Sequence, residues 1–398
     1  MFALSVKYKL NDTPTYRPLY DYGLVMIGIL CVINFSRFVR HKNINLLVLN
    51  QIPFYCLFAL LTMFFASSFL APGREFKDFL YFAYWFSVLP LLFTSYINYK
   101  YSVPELLYLL CKSVVIFAVL SAIAAFLTFF GILEYEFGAY VLKQNLWTAT
   151  RIHGYMGEPT ALGGLLGFSV IAFSYMNTTK KLNYKLLIYG FLFISIVAAG
   201  SRNAMIGLIV VGLLGVMVEV AKSQIGKFFV GCLIGAVMVA ILLFGNEVFI
   251  EAVARSNEIA EWNQDNRLLR WKILIDMYTN GDIVSYLFGS GAGSFNQEHG
   301  AAAFNASLEL LYNYGILGFL LYQLLSISSF YLGIKRYRLT GCVVYKYGSM
   351  FLAYGYSFSL FMSFFPATDF NFPAFAFVFG ILLTCIPIKT MNAWVLQQ

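Results

Sequence analysis

The stretch "IVAAGSRNAMIGLIV" at residues 196–210 decides the fold class, because two strongly apolar runs meet there at a single arginine, Arg202. A guanidinium at the centre of a bilayer costs about 2.5 to 3.5 kcal/mol, and its cost falls when the side chain reaches the membrane surface. The pattern therefore predicts two membrane spans joined by a tight turn that keeps Arg202 at the interface.

The composition extends this interpretation to the whole chain. Of the 398 residues, 60% are hydrophobic and only 12% are charged, whereas about a quarter of the residues in soluble domains are charged. The net charge is +8, and the basic residues fall in short clusters between apolar runs. This distribution is typical of loops that orient a membrane protein and not of a nucleic-acid surface. We predict an all-α polytopic membrane protein that does not bind nucleic acid.

A membrane span needs about 20 mostly apolar residues, and eleven segments qualify, with 10 to 12 as the range. The two longest continuous stretches, 104–131 and 304–333, have room for a break. The predicted spans are 20–36, 45–70, 78–97, 104–131, 160–176, 184–199, 203–220, 226–245, 304–333, 342–365 and 370–388.

The loops between these spans alternate in charge. The basic loops are 37–42, 180–185, 222–227 and 335–346. All four fall on the same side of the count, which we predict to be the cytoplasm together with the C-terminus. An odd number of spans then places the N-terminus outside, although the basic residues Lys7, Lys9 and Arg17 argue against that step.

The opposite face carries the long connections, residues 132–159 and 246–303. Residues 246–278 mix apolar and charged residues at helical spacing, which is typical of helices that lie on a membrane surface. We therefore expect a single transmembrane domain, residues 1–398, with a large external loop that contains surface helices.

Four stretches on that face are rich in polar groups. "RIHGYMGEPTALGG" (151–164) carries Arg151, His153 and Glu158, and "GSRN" (200–203) carries Arg202 and Asn203. "DNRLLRWKILIDMYTNG" (265–281) carries Arg267 and Arg270, which share a helix face at a spacing of three. "FGSGAGSFNQEHGAAAFNASLELLYNYGILG" (288–318) is a glycine-rich turn followed by His299, Asn305 and Glu309.

Each stretch alone has an ordinary explanation. Arg202 could be an anchor at the interface, Arg267 and Arg270 a helix surface that faces solvent or phospholipid, and Glu158 a partner for the N-terminus of a helix. "GSGAG" lacks the lysine and the preceding strand of a phosphate loop. Together, however, arginines from three external elements predict one dense positive site at the membrane surface.

Arginine suits phosphate, because its planar fork binds phosphate oxygens bidentately and stays charged in apolar surroundings. The chain has no D-x-D motif and no closely paired carboxylates suited to magnesium; the nearest pairs are Glu134 with Glu136 and Glu75 with Asp78. The six cysteines form no C-x-x-C motif. We predict binding of a lipid-linked phosphate or pyrophosphate without a metal or another cofactor.

The four stretches, in this order, resemble the O-antigen polymerases and the wider superfamily that these share with the O-antigen ligases. "RIHGYMGEPTALGG" is similar to the family's arginine, glycine and Glu-Pro segment, and "AGSRNAMIG" to its small-Ser-Arg helix start. Arg270 and Gly281 fit the R-x10-G pattern of polymerase loops. The resemblance covers residues 130 to 335; the first 130 residues match in hydropathy alone.

The resemblance implies a metal-independent GT-C glycosyltransferase in the bacterial inner membrane. It implies transfer of a growing glycan from undecaprenyl pyrophosphate to the terminal sugar of a new lipid-linked repeat unit, on the periplasmic face. A chain-length regulator protein and membrane lipids are the implied partners. Glu158 and His299 are the two candidates for the base. The implied substrate-binding residues are Arg151, His153, Arg202, Arg267, Arg270, Asn305 and Glu309.

Two alternatives remain. Ligase-like members carry His-Asn where this chain has Phe304-Asn305, with His299 displaced upstream, so a ligase-type histidine does not transfer directly. A transporter or flippase for lipid-linked glycans would place charged residues at the bilayer midplane in repeated halves. Here the arginines cluster at one face, which favours an enzyme.

Overall fold

The computed structural model describes residues 103–130, 132, 152, 159–179, 184–220, 267–291, 294–299, 303–360 and 372–386, with short pieces between 52 and 63. Every regular element among these residues is a helix. In chain order they are α1 (Val103–Phe129), α2 (Pro159–Thr179), α3 (Lys185–Ala199), α4 (Arg202–Val220), α5 (Arg267–Thr279), α6 (Ile283–Phe288), α7 (Ser294–His299), α8 (Ala306–Thr340), α9 (Val343–Ser359) and α10 (Phe372–Cys385).

The apolar helices agree with the prediction of a helical membrane protein. Three of them, α1, residues 160–178 of α2, and α8, are long and apolar enough to cross a bilayer by length and composition, and α3, α4 and α10 contain shorter apolar helices. Seven of the predicted spans coincide with described helices. Spans 20–36, 78–97 and 226–245 and most of 45–70 lie outside the described residues, so the count of eleven stays a prediction.

Close contacts fix the directions of the helices. Gly207 near the start of α4 lies against Tyr354 near the end of α9, and Gly215 later in α4 lies against Met350 earlier in α9. These two helices are therefore antiparallel. Because a short link at Gly341 reverses the chain between α8 and α9, α4 and α8 begin at the same end of the bundle.

The other helices follow the same alternation. Gly163 of α2 lies against Ser201 and Ala204 at the start of α4, so α2 begins at that end as well. The hydroxyl of Tyr175, late in α2, donates to the carbonyl of Pro104, early in α1 (3.2 Å). Helix α1 therefore begins where α2 ends, and it ends where α2 begins. We call this end, where α2, α4 and α8 begin, the loop end of the bundle.

The opposite end of the bundle carries basic side chains, two of them exposed and one half-buried. Lys335 and Arg338 are exposed on the last turns of α8. Between them, Arg336 donates from Nη1 to the carbonyl oxygens of Thr384 (2.7 Å) and Ile386 (2.8 Å). Arg336 thereby satisfies backbone acceptors that the C-terminus of α10 leaves without helical partners.

The longest helix, α8, contains a break, as the length of segment 304–333 allowed. Gly315 has φ 68° and ψ −174°, a conformation that is not helical and that a side chain disfavours. Just before it, the carbonyls of Tyr312 and Asn313 accept from N–H groups outside the helix, those of Ser290 and Gly291. Segment 104–131, in contrast, forms the continuous helix α1.

A second, smaller core lies at the loop end. It consists of Leu274, Tyr278, Phe295, Ala303 and Tyr312, from α5, α7 and the start of α8. We call α5, α6, α7 and residues 303–314 the end module. Its helices fall in and just after the external connection 246–303 that the sequence predicted to contain surface helices.

Candidate functional site

Two of the predicted polar stretches meet at the loop end. The backbone N–H of Ile152 donates to the carbonyl of Ala198 in the last turn of α3 (3.2 Å), and Ile152 is buried. Ile152 directly follows Arg151, and Ala198 lies four residues before Arg202. This hydrogen bond therefore brings the segment of Arg151 to the turn that carries Arg202.

The turn between α3 and α4 has a specific backbone geometry. Gly200 adopts a left-handed conformation (φ 59°) and ends α3, with its N–H donating to the carbonyl of Val197 (2.9 Å). This is the usual way for glycine to terminate a helix. The next residue but one, Arg202, begins α4, so its position at a helix N-terminus agrees with the predicted helix start.

Ser201 is the buried residue of this turn. Its side chain packs against Gly163 of α2, where a Cβ atom would collide with the serine. The hydroxyl is buried and has no hydrogen-bond partner among the described residues. A buried hydroxyl without a partner is uncommon, and here it lies at the start of α4, where backbone N–H groups favour anions.

Arg270 occupies the end module and is buried, with 7% of its surface exposed. Its guanidinium carbon lies 5.3 Å from the centre of the Phe304 ring, a distance that allows a cation–π contact. The simple interpretation of residues 267 and 270 as a solvated helix surface is therefore wrong for Arg270.

Phe304 itself has an unusual backbone. Its φ of 55° makes it the one residue other than glycine with positive φ among those the structure describes, and this conformation is unfavourable for a bulky side chain. The preceding residue, Ala303, is held on both sides. Its carbonyl accepts from Nε1 of Trp271 (2.8 Å) and its N–H donates to Oε1 of Glu309 (2.8 Å).

Asn305 and Glu309, two of the predicted substrate-binding residues, have structural contacts here. Oδ1 of Asn305 accepts from the N–H of Leu308 (3.0 Å) and caps the N-terminus of α8. Glu309 is buried and accepts from the N–H of Ala303, which lies before the start of α8. Both side chains fix the start of α8 and the conformation of residues 303–305.

The glycine-rich turn is used for packing. The N–H groups of Ser290 and Gly291 donate to the carbonyls of Tyr312 (3.0 Å) and Asn313 (2.9 Å), just before the break in α8. These two amides are therefore engaged by protein acceptors.

Further contacts join the short helices of the end module. The hydroxyl of Tyr278 donates to the carbonyl of Tyr286 (2.8 Å), and the two rings stack with centroids 4.9 Å apart. Burial raises the pKa of the Tyr278 hydroxyl, and the nearby Tyr286 raises it further. The hydroxyl of Tyr312 donates to Oε2 of Glu298 (2.8 Å) and joins α8 to α7.

Other predicted site residues are placed only in part. Arg202, Arg267 and His299 lie at helix ends, at the starts of α4 and α5 and at the last residue of α7, and their side chains lie outside the described residues. Arg151, His153 and Glu158 also lie outside them. Pro159 begins α2, the first-turn position predicted for it. Both base candidates therefore stay predictions.

Sequence reasoning predicted no contacts for three residues of this region, Ser201, Trp271 and Phe304, although it noted Phe304 as the position where ligase-like members carry a histidine. Ser201 and Trp271 fall inside quoted stretches, next to the arginines, but no spacing rule marks a hydroxyl or an indole for a contact with a distant segment. Among the described residues, no group of three or more His, Cys, Asp or Glu side chains is placed to hold a metal ion.

Comparison with known proteins finds that neither a protein-family model nor a curated protein matches this chain.

Proposed function

We propose that this protein is an O-antigen polymerase. It transfers a growing glycan from undecaprenyl pyrophosphate to the terminal sugar of a new lipid-linked repeat unit, on the periplasmic face of the bacterial inner membrane. The proposed enzyme belongs to the GT-C type of membrane glycosyltransferase, has about eleven spans and works without a metal.

The hydrogen bond between Ile152 and Ala198 is the observation that carries this proposal. It joins the stretch that begins at Arg151 to the stretch that contains Arg202, although about 50 residues separate them in the chain. The buried hydroxyl of Ser201 lies at the same point. Two arginines and the N-terminus of α4 suit an anion with several oxygens, such as a pyrophosphate.

The proposed chemistry assigns separate roles to these groups. As the bond between the sugar C1 and the pyrophosphate oxygen breaks, negative charge grows on the leaving group, and Arg151 and Arg202 stabilise it. A base, Glu158 or His299, takes the proton from the attacking hydroxyl. Positioned proton transfer of this kind contributes about 10² to 10⁴-fold in rate.

The region of Phe304 supports polymerase over ligase. Ligase-like members carry a histidine there, whereas in this chain an aromatic ring lies against the buried Arg270. A phenyl ring has no titratable group and cannot act as a base. The group that acts as base must therefore come from another position.

The test uses purified protein and undecaprenyl-linked repeat units from candidate strains, with and without EDTA. We expect a ladder of glycan lengths that survives the chelator. No ladder with any repeat unit would contradict the polymerase proposal. A ladder that is lost with EDTA and restored by magnesium would contradict the metal-free chemistry alone.

A further inference from the structure

The short helix α6 is unusual because its apolar side chains are exposed, although the helix contacts α5 and α8. None of its residues is buried. The exposed fraction is 76% for Ile283, 59% for Val284 and 55% for Phe288, and Tyr286 and Leu287 are also exposed. An apolar cluster of this kind on a protein surface marks contact with a membrane or with another protein.

The position of α6 is fixed by two glycines in close backbone contact. Gly315, at the break in α8, lies against the carbonyl of Leu287 and the backbone nitrogen of Phe288, where a Cβ atom would collide. Gly289, directly after α6, has φ 81° and lies against the backbone of Asn313 and Tyr314. The end of α6 is therefore held at the level of the break.

The distance along α8 from the break at Gly315 to the basic end of the helix matches the thickness of the hydrocarbon core. Lys335 follows Gly315 by 20 residues, and at 1.5 Å per residue an upright helix covers about 30 Å over this distance. About 30 Å is also the thickness of the hydrocarbon core. An upright α8 with the exposed Lys335 and Arg338 at one interface would therefore place Gly315 and the attached α6 at the other.

The part of α8 that follows the break also exposes apolar side chains. After the break, α8 exposes Leu317, Leu320, Leu324 and Ile327, the stripe that a spanning helix presents to lipid chains. The end of α6 contacts α8 at Gly315, two residues before the first residue of this stripe, Leu317. Lipid therefore suits α6 better than a protein partner, because its exposed apolar residues lie at the level where the exposed apolar stripe of a helix long enough to span a bilayer begins.

We infer that α6 lies in the membrane interface, with its apolar side chains among the acyl chains of the leaflet at the loop end. Asp282, which is fully exposed and caps α6, keeps the start of the helix among the lipid head groups. Helices of this kind bury their apolar face about 5 to 10 Å deep. The end module is thereby anchored to the bilayer as well as to α8, and this conclusion does not depend on the proposed enzymatic activity.

Site-directed spin labelling of the full chain tests this inference. Val284→Cys and Phe288→Cys share one face of α6, and Asp276→Cys, at an exposed polar position of α5, is the matched control. Each variant is labelled and reconstituted into vesicles of phosphatidylethanolamine and phosphatidylglycerol. The unsubstituted protein, labelled in the same way, gives the background from its native cysteines.

We expect labels at 284 and 288 to collide more often with oxygen than with a water-soluble nickel chelate, and the label at 276 to show the reverse. The ratio of the two collision rates should differ at least several-fold between the α6 positions and the control. A label at 284 or 288 that is as accessible to nickel as the control overturns the inference and leaves a protein partner as the occupant. Ile283→Cys replaces either α6 variant that is not recovered as folded protein.

Discussion

The helical bundle and the end module differ in what their polar side chains hold in place. In the bundle, glycines let helices touch: Gly355 of α9 lies against the backbone of Pro373 and Phe377 in α10. Serine hydroxyls there bond within their own helix, as Ser169 does to the carbonyl of Leu165 (2.7 Å). Close packing of this kind is common between helices in a membrane, and polar contacts between helices add to it, such as the hydrogen bond from Tyr175 to Pro104.

In the end module, long polar side chains bind the backbone of distant segments. Trp271 of α5 and Glu309 of α8 hold the same residue, Ala303, from two sides, and the chain at Phe304 adopts a strained conformation. The comparison teaches that polar contacts in the bundle join one regular helix to another, whereas those in the end module hold a segment that is not helical. The predictions below test this difference, and the first concerns the place where the bundle meets the proposed chemistry.

The largest expected effect is on Arg202, at the start of α4. If it binds a pyrophosphate, Arg202→Lys keeps the charge but loses the bidentate fork, so it should resemble Arg202→Ala and not the wild type. Loss of a charge-assisted contact made in the transition state reduces the rate about 10² to 10³-fold. The measurement is the distribution of glycan lengths, together with the amount of protein in the membrane.

Arg338→Ala, an exposed arginine at the opposite end of the bundle, is the control and should leave the glycan lengths unchanged. Normal polymer from Arg202→Lys would contradict the proposed role, because a lysine reaches the interface as well as an arginine does. Loss of both Arg202 variants from the membrane would also contradict it and would assign Arg202 to helix anchoring.

The next effect concerns packing in the bundle. A Cβ atom on Gly355 would come within 2.6 Å of the backbone nitrogen of Phe377, so Gly355→Ala forces α9 and α10 apart. Overpacking of this kind costs about 1 to 3 kcal/mol. Gly212→Ala in α4 is the matched control, because nothing lies within 4 Å of the added atom. Thermal unfolding in detergent should show a lower midpoint for Gly355→Ala alone; equal midpoints would contradict the close packing of α9 and α10.

The sequence predicts the helices of the bundle much better than the contacts of the candidate site. Hydropathy predicted the spans that coincide with α1 to α4 and α8 to α10, since each needs only a local run of apolar residues. The start of α2 at Pro159 is equally local. The bond from Ile152 to Ala198, the contact of Trp271 with Ala303 and the left-handed Phe304 depend on segments that are distant in the chain. No periodicity records such contacts, so the candidate site was predicted as a set of arginines and not as an arrangement.

A smaller effect tests the strain in the end module. Phe304→Ala and Phe304→Gly both remove the ring and its contact with Arg270, but only glycine adopts a φ of 55° without penalty. The glycine variant should therefore be the more stable of the two, by about 1 kcal/mol. The apparent midpoint of thermal unfolding in detergent measures this difference. An alanine variant as stable as the glycine variant would show that the backbone at 304 carries no strain.

The smallest effect concerns Asp282, the cap of α6. Hydrogen bonds from the side chain and the backbone N–H of Ser285 (2.8 Å for the N–H) hold the pKa of this carboxyl below its usual value of about 3.8. A depressed pKa means that the carboxylate stabilises the folded helix above pH 3.8, and that this contribution is lost as the pH falls through the lower, folded-state pKa. Hydrogen exchange at α6 should therefore show constant protection from pH 7 to pH 4 and a loss only below that range.

Asp282→Asn still caps the helix but does not titrate, so its protection should be independent of pH. Asp276→Asn on α5 should behave as wild type. An acid-induced loss that is identical in Asp282→Asn, or that begins near pH 6 in the wild type, would mean that another group controls the stability of α6.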